Sequence, residues 1–177
     1  MIKVLFICHG NICRSPMAEF MFKDMLSKKG LADSFYVASA AISDEEIWNG
    51  VGNPVYPPAR DELRKHGITC EGKQAVKIEK SYYEKYDYLL AMEDVHIKRI
   101  CQITGGDPEG KVHKLLNYAI EPALKNKNIA DPWYSGDFVT TYKEIEAGLE
   151  GFLEYLSEAE TSLKNKAGNP DFVKGNR

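Results

Sequence analysis

Cys8 stands six residues before Arg14, with Ser15 and Pro16 directly after it. A thiol, a guanidinium and a hydroxyl at that spacing are suited to phosphoryl chemistry. A cysteine beside a cation and converging backbone dipoles is shifted toward thiolate, the nucleophilic form. An arginine offers a planar fork of donors that matches two oxygens of a phosphoryl group. The Ser15 hydroxyl can hydrogen-bond to the thiolate. The structural alternative is a buried thiol followed by an ordinary strand-to-helix turn, and the spacing alone leaves both open.

The surroundings bear on that choice. Val4 to Ile7 is a short apolar run of strand type, and Pro16 to Lys29 carries Ala18, Met21, Phe22, Met25 and Leu26 at helical spacing, closed by Gly30. Ser15 reads as the helix N-cap with Pro16 at the first helical position. Between strand and helix, the backbone N–H groups of residues 9 to 14 can curl around one point ahead of the helix's positive end. Gly10 permits unusual backbone angles, and Asn11 tolerates a left-handed one. Such a nest, made by His9, Gly10, Asn11, Ile12, Cys13, Arg14 and Ser15, binds an anion the size of phosphate. Neither a Walker-type loop nor a dinucleotide fingerprint is present, because the lysine and the additional glycines are missing.

The rest of the chain supplies the frame. Phe35 to Ala41 reads as a second strand, Pro58 to His66 as a helix stopped by Gly67, and Ile68 to Val76 as an extended return. A short helix at Ser81 to Tyr86 precedes a strand at Tyr88 to Met92 and a helix from Asp94 to Ile103. A fourth strand is expected at Val112 to Tyr118. A loop carrying "ADPWYSGDF" then leads to a long amphipathic helix from near Asp137. Strands alternating with helices predict an α/β fold, a parallel sheet covered on both faces, with ligands outside the carboxyl ends of the strands. Cys8 lies at that edge. The expected division is one domain over residues 1–164 and a flexible C-terminal tail over 165–177, where periodicity fades.

Composition narrows the function classes. The 177 residues are 44% apolar and 28% charged, with a net charge of −3, which gives no general reason to expect nucleic-acid or membrane binding. An anion site must therefore be local. The N-terminus shows no secretory leader pattern and no run approaches a membrane span, so a cytoplasmic chain is expected. Cys8, Cys13, Cys70 and Cys101 form no C-x-x-C pair and do not cluster with histidines, which argues against a disulfide scaffold or a structural zinc.

With these residues in view, the sequence resembles the low-molecular-weight protein tyrosine phosphatases. Their signature of a strand followed by Cys-x-Gly-Asn-x-Cys-Arg-Ser-Pro is matched by Cys8, Gly10, Asn11, Cys13, Arg14, Ser15 and Pro16. The likeness continues through "SAA" at 39–41, Trp48, "HGI" at 66–68, "YDYLLAM" at 86–92 and "DPWY" at 131–134, over about residues 2 to 157. The resemblance implies a single three-layer α/β/α domain with a four-stranded parallel sheet. It implies hydrolysis of phosphotyrosine and small aryl phosphates through a phosphocysteine, with phosphotyrosine proteins as substrates. Cys8 would be the nucleophile, Arg14 the phosphate clamp and Asp131 the general acid/base. Asn11, Ser15, Ser39 and His66 would support the loop. Ile12, Trp48, Trp133 and Tyr134 would form the substrate rim. No cofactor or metal is implied.

Each of these roles has a plainer counterpart. Asp131-Pro132 is an ordinary turn start, His66 before Gly67 suits a helix C-terminus, and Trp48 could sit in the core. Cys13 either traps an oxidised Cys8 as a disulfide or fills a small buried space. His9 either tunes substrate choice or is solvated. The stretch "GVGNPVYPPA" at 50–59 is longer and richer in proline than expected for relatives. Arginine-phosphate hydrolysis on the same fold is the alternative activity, disfavoured by Ile12, Trp133 and Tyr134. Arsenate reduction would need a further close cysteine pair. A non-catalytic phosphotyrosine-binding module would be expected to have lost Cys8, Arg14 or Asp131.

Overall fold

The computed structural model describes residues 1–167. Its elements are β1 (Ile2–Cys8), α1 (Arg14–Lys28), β2 (Phe35–Ala41), β3 (Ile47–Trp48), β4 (Val51–Gly52), α2 (Pro57–Lys65), α3 (Tyr82–Lys85), β5 (Tyr88–Ala91), α4 (Asp94–Thr104), β6 (Val112–Lys114), α5 (Pro132–Ser135) and α6 (Phe138–Ala167). Four strands pair in parallel in the order β2-β1-β5-β6. The sheet grows outward from β1 in both directions, so the strand order reverses beside its carboxyl end, where open α/β sheets hold their ligands.

Side-chain alternation along β1 builds two cores. Val4, Phe6 and Cys8 join Met17, Phe22, Leu149 and Phe152 on one face, beneath α1 and α6. Leu5 and Ile7 join Tyr83, Leu89 and Ile100 on the other, beneath α3 and α4. Val4 to Ile7 are fully buried, which explains the continuous apolar run of a strand covered on both faces.

Several boundaries differ from the sequence expectations. Helix α1 begins at Arg14, two residues early. Ser15 is therefore inside the first turn rather than its N-cap, and its hydroxyl turns toward the loop. Residues 68–76 form no ladder, because a turn with Gly72 at φ 78° interrupts them and only a bridge from Gln74 to Pro54 remains. Strand β6 ends at Lys114, since its partner β5 ends at Ala91, and a 3-10 turn at Leu115–Asn117 follows. The "DPWY" loop contains the short helix α5. The expected tail begins inside α6, which runs to Ala167, and its remainder, 168–177, lies outside the described residues.

Close packing of α6 depends on two helix glycines. A Cβ at Gly148 would come within 2.6 Å of Leu115 Cγ, and one at Gly151 within 1.9 Å of the Tyr118 carbonyl oxygen. The second contact is with backbone and cannot be relieved by a rotamer change. Gly151→Ala should therefore destabilise the domain by at least about 1–3 kcal/mol, despite alanine's better helix propensity. Urea unfolding would show this as a lower midpoint at similar slope; an unchanged or raised midpoint would mean that α6 is not held this closely.

Candidate active site

Residues 8 to 15 form the loop between β1 and α1, and its shape is set by side chains rather than by sheet pairing. Asn11 adopts a left-handed backbone (φ 59°) and is buried. Its amide nitrogen donates to Ser15 Oγ at 2.8 Å and Ser39 Oγ at 2.9 Å, and its amide oxygen accepts from Val76 N at 3.1 Å. Ser39 in turn donates to Glu19 Oε2 at 2.5 Å, and Glu19 is paired with Lys23 and Lys73. Among the described residues, none accepts from the backbone N–H groups of residues 9 to 14. Those donors are not spent on holding the loop's own shape.

Cys8 Sγ lies 3.0 Å from Ser15 Oγ. Asn11 already donates to that hydroxyl, so the serine's own hydrogen is free to point at sulfur; its other acceptor, the Ala40 carbonyl, is at 3.5 Å. The arrangement lets Ser15 donate to the sulfur. Cys13 is also buried, and burial foremost, followed by the nearby Cys8 and Asp131, holds its thiol far above its ordinary value. Cys13 is therefore a protonated thiol in the same cavity.

Arg14 is 2% exposed and reaches three acceptors. Nη1 donates to Glu93 and to the Ile129 carbonyl at 2.9 Å, and Nη2 donates to Asp131 Oδ2 at 3.0 Å. Asp131 caps α5 by accepting from Trp133 N at 3.1 Å. Its backbone is fixed by α6: Ala130 N donates to Glu144 and the Ala130 carbonyl accepts from Thr141. Cys8, Ile12, Arg14, Asp131, Trp133 and Tyr134 all line one cavity of about 170 Å³. A thiol, a cation, a carboxyl and an apolar wall thus share one small space. That set can bind a phosphate monoester, attack its phosphorus and move a proton at its leaving group.

Two expected residues are elsewhere. His66 caps α2, bonds Glu62 at 3.3 Å and stacks on Tyr142 at 3.8 Å, so it does not reach the loop. The helix-end position explains it, and the loop's acidic anchor is Glu19. That residue follows Ser15 by one turn on the buried face of α1, a signal legible in the sequence. Trp48 is neither core nor cavity wall. The Asn49-Gly50 turn, with both φ angles positive, forms a tight β3–β4 hairpin that leaves Trp48 72% exposed. Trp133 is instead buttressed by Tyr56, whose ring centroid is 4.9 Å away.

Sequence reasoning also passed over Glu93, Glu45, Glu46 and His96. Glu45 and Glu46 line the cavity together with His9 and Gly10. His96 is buried on the inner face of α4, and among the described residues its Nδ1 has no partner. Burial, then the Arg14 charge, lowers its pKa from 6.5 to about 3. Its spacing from Ile100 and Thr104 on one helix face was the available clue.

Comparison with known proteins agrees with this geometry. The family model for low molecular weight phosphotyrosine protein phosphatase matches residues 3–165. The low molecular weight protein-tyrosine-phosphatase YfkJ of Bacillus subtilis is 35% identical over 158 residues, covering 89% of this chain and 97% of that protein. Its crystal structure aligns with a TM-score of 0.83 at 33% identity, over 90% of this chain and 96% of that one. The low molecular weight phosphotyrosine protein phosphatase of Sus scrofa is 33% identical over 153 residues, 85% of this chain and 93% of its own length. Wzb of Vibrio vulnificus, solved in complex with benzylphosphonate, aligns with a TM-score of 0.71 at 27% identity, over 87% of this chain and 98% of that one.

The buried imidazole gives a measurable pH dependence. His96 stays neutral in the folded protein down to about pH 3, whereas an unfolded histidine takes up a proton near pH 6.5. Its contribution is therefore fully present above pH 6.5 and is lost as pH falls toward the folded value. Between pH 6 and 5, above most of the carboxylate range, the slope should approach about 1.4 kcal/mol per pH unit. Urea titrations across that window should show this slope in the wild type and a flatter one in His96→Leu. Equal slopes would mean that His96 is hydrated and free to protonate.

Proposed function

The chain belongs to the low molecular weight phosphotyrosine protein phosphatases, and on that premise we propose that it hydrolyses phosphotyrosine in proteins through a phosphocysteine on Cys8. The observation that carries this reading is the Cys8–Ser15 contact at the base of the nest, in the cavity that also holds Arg14 and Asp131.

The Cys8 thiolate attacks phosphorus in line with the ester oxygen. As the P–O bond breaks, the Asp131 carboxylic acid gives its proton to the leaving phenolate. The N–H groups of residues 9 to 14 and the Arg14 fork hold the equatorial oxygens, where charge accumulates in the transition state. Water then attacks the phosphocysteine. The Asp131 carboxylate takes the water's proton, the P–S bond breaks, and inorganic phosphate leaves with the thiolate restored. The Arg14–Asp131 contact has to open for this sequence, because one carboxylate oxygen is tied to the guanidinium. An incoming phosphate dianion offers Arg14 a replacement acceptor.

The apolar wall of Ile12, Trp133 and Tyr134 suits a phenyl ring. The benzylphosphonate bound by Vibrio vulnificus Wzb joins a phenyl ring to a tetrahedral phosphonate, the same two features. Cys13 is either a small buried filler or the thiol that closes a reversible disulfide with an oxidised Cys8. No helix among the described residues is long and apolar enough to cross a membrane. Four free thiols fit a reducing compartment, and we assign the enzyme to the cytoplasm.

The test is phosphate release from matched phosphotyrosyl and phosphoarginyl peptides. The tyrosyl peptide should be turned over and Cys8→Ser should abolish it. Asp131→Asn should lower kcat by about 10²–10⁴-fold on a phosphotyrosyl substrate, and by less on an aryl phosphate whose phenolate leaves without a proton. Preference for the arginyl peptide would overturn the reading of the aromatic wall. Equal losses for both leaving groups would remove Asp131 as the acid.

A further inference from the structure

Glu45 and Glu46 line the catalytic cavity, and nothing in the proposed reaction uses them. Resting on the function proposed above, we propose that these two carboxylates make the enzyme select phosphotyrosines flanked by lysine or arginine.

Both side chains are held in place. Glu46 fills the space that Gly10 leaves open, since a Cβ on Gly10 would lie 3.0 Å from Glu46 Cγ. Its carboxylate accepts from Asn53 Nδ2 at 2.7 Å, and its carbonyl accepts from Asn53 N at 2.8 Å. Glu45 accepts from His9 Nε2 at 2.8 Å, and both of these side chains are at least half exposed. Neither glutamate has a lysine or arginine partner among the described residues, whereas the adjacent Asp44 is paired with Lys77 at 3.2 Å. Of the cavity-lining residues, only Arg14 is a lysine or arginine, and it is buried among Glu93, Ile129 and Asp131.

A phosphorylated side chain therefore passes two carboxylates to reach its cation. For a phosphotyrosine with acidic neighbours, like charges accumulate within a Debye length. For one with a basic neighbour, the same carboxylates become acceptors of charge-assisted hydrogen bonds. Adjacent Cα atoms are 3.8 Å apart, so a flanking lysine or arginine reaches the lip while the ring occupies the slot. Selectivity arises as much from rejecting acidic sequences as from attracting basic ones.

The experiment measures kcat/KM for three phosphotyrosyl peptides that differ only in flanking residues: lysine/arginine, alanine or glutamate. The wild type should favour the basic over the acidic peptide by about tenfold, the sum expected of two exposed charge pairs. Raised salt should shrink the ratio, and Glu45→Gln/Glu46→Gln should bring it close to one. Glu45→Lys/Glu46→Gln, which leaves a net positive lip, should reverse the order. A ratio near one in the wild type, or a preference that the double variant keeps, overturns the proposal. Turnover of the alanine peptide by the wild type, lost in Cys8→Ser, reports the catalytic reading separately. A flat profile with that turnover intact therefore counts against the acidic lip alone.

Discussion

Everything at the catalytic edge depends on how Asn11 is held. A non-glycine residue in the left-handed region is disfavoured by about 1–2 kcal/mol, less for asparagine, and Asn11 stays there because its amide is fully used. Each of its three hydrogen bonds ties the loop to a different part of the chain: Ser15 in α1, Ser39 in β2, and Val76 in the segment after α2. The ladder beyond Ser39 ends on Glu19, a buried carboxylate satisfied by two lysines. A buried polar cluster is stabilising only when it is complete, and this one is. Its consequence is functional, because a loop fixed by side chains need not spend its backbone donors on holding its own shape.

The second constraint is charge balance around Arg14. Burying an uncompensated guanidinium would cost several kcal/mol, so Glu93, Asp131 and the Ile129 carbonyl surround it. A phosphate dianion brings a comparable negative charge to the same guanidinium. Substrate binding is then an exchange of partners at one cation rather than the neutralisation of a bare one. The exchange also connects binding to proton transfer, since the carboxyl that Arg14 releases is the proposed acid.

Much of this was legible in the sequence. Strand β2 matches its expectation residue for residue, and β1 and α4 lie within two residues of theirs, because apolar runs and helical spacing report burial directly. Cys8, Arg14 and Ser15 come together as their types and spacing suggested, and Asn11 and Ser39 join them where the family resemblance had put them. What sequence reading lost were features decided by long-range geometry. His66 sits at a helix end where stacking on Tyr142 wins, and Trp48 is carried outward by a two-residue turn whose Asn-Gly signature was readable. Glu19, buried in α1, and the half-buried Glu93, which directly precedes α4, were missed because a carboxylate looks solvated until its partners are known.

The sheet's topology explains why such distant segments can cooperate. Helix α1 follows strand β1 and Glu93 follows β5, while the Ile129–Asp131 segment returns to the same edge from the loop beyond β6, where Ile129 N donates to the Met92 carbonyl at 2.9 Å. The carboxyl is the least local of these parts. Its backbone is set by Thr141 and Glu144 of α6, which is itself seated by Gly148 and Gly151 against residues 115–119. The position of Asp131 relative to Arg14 is therefore fixed by how closely a helix packs on the far end of the same layer. Gly151, which does not line the cavity, thus helps to set the position of the proposed acid.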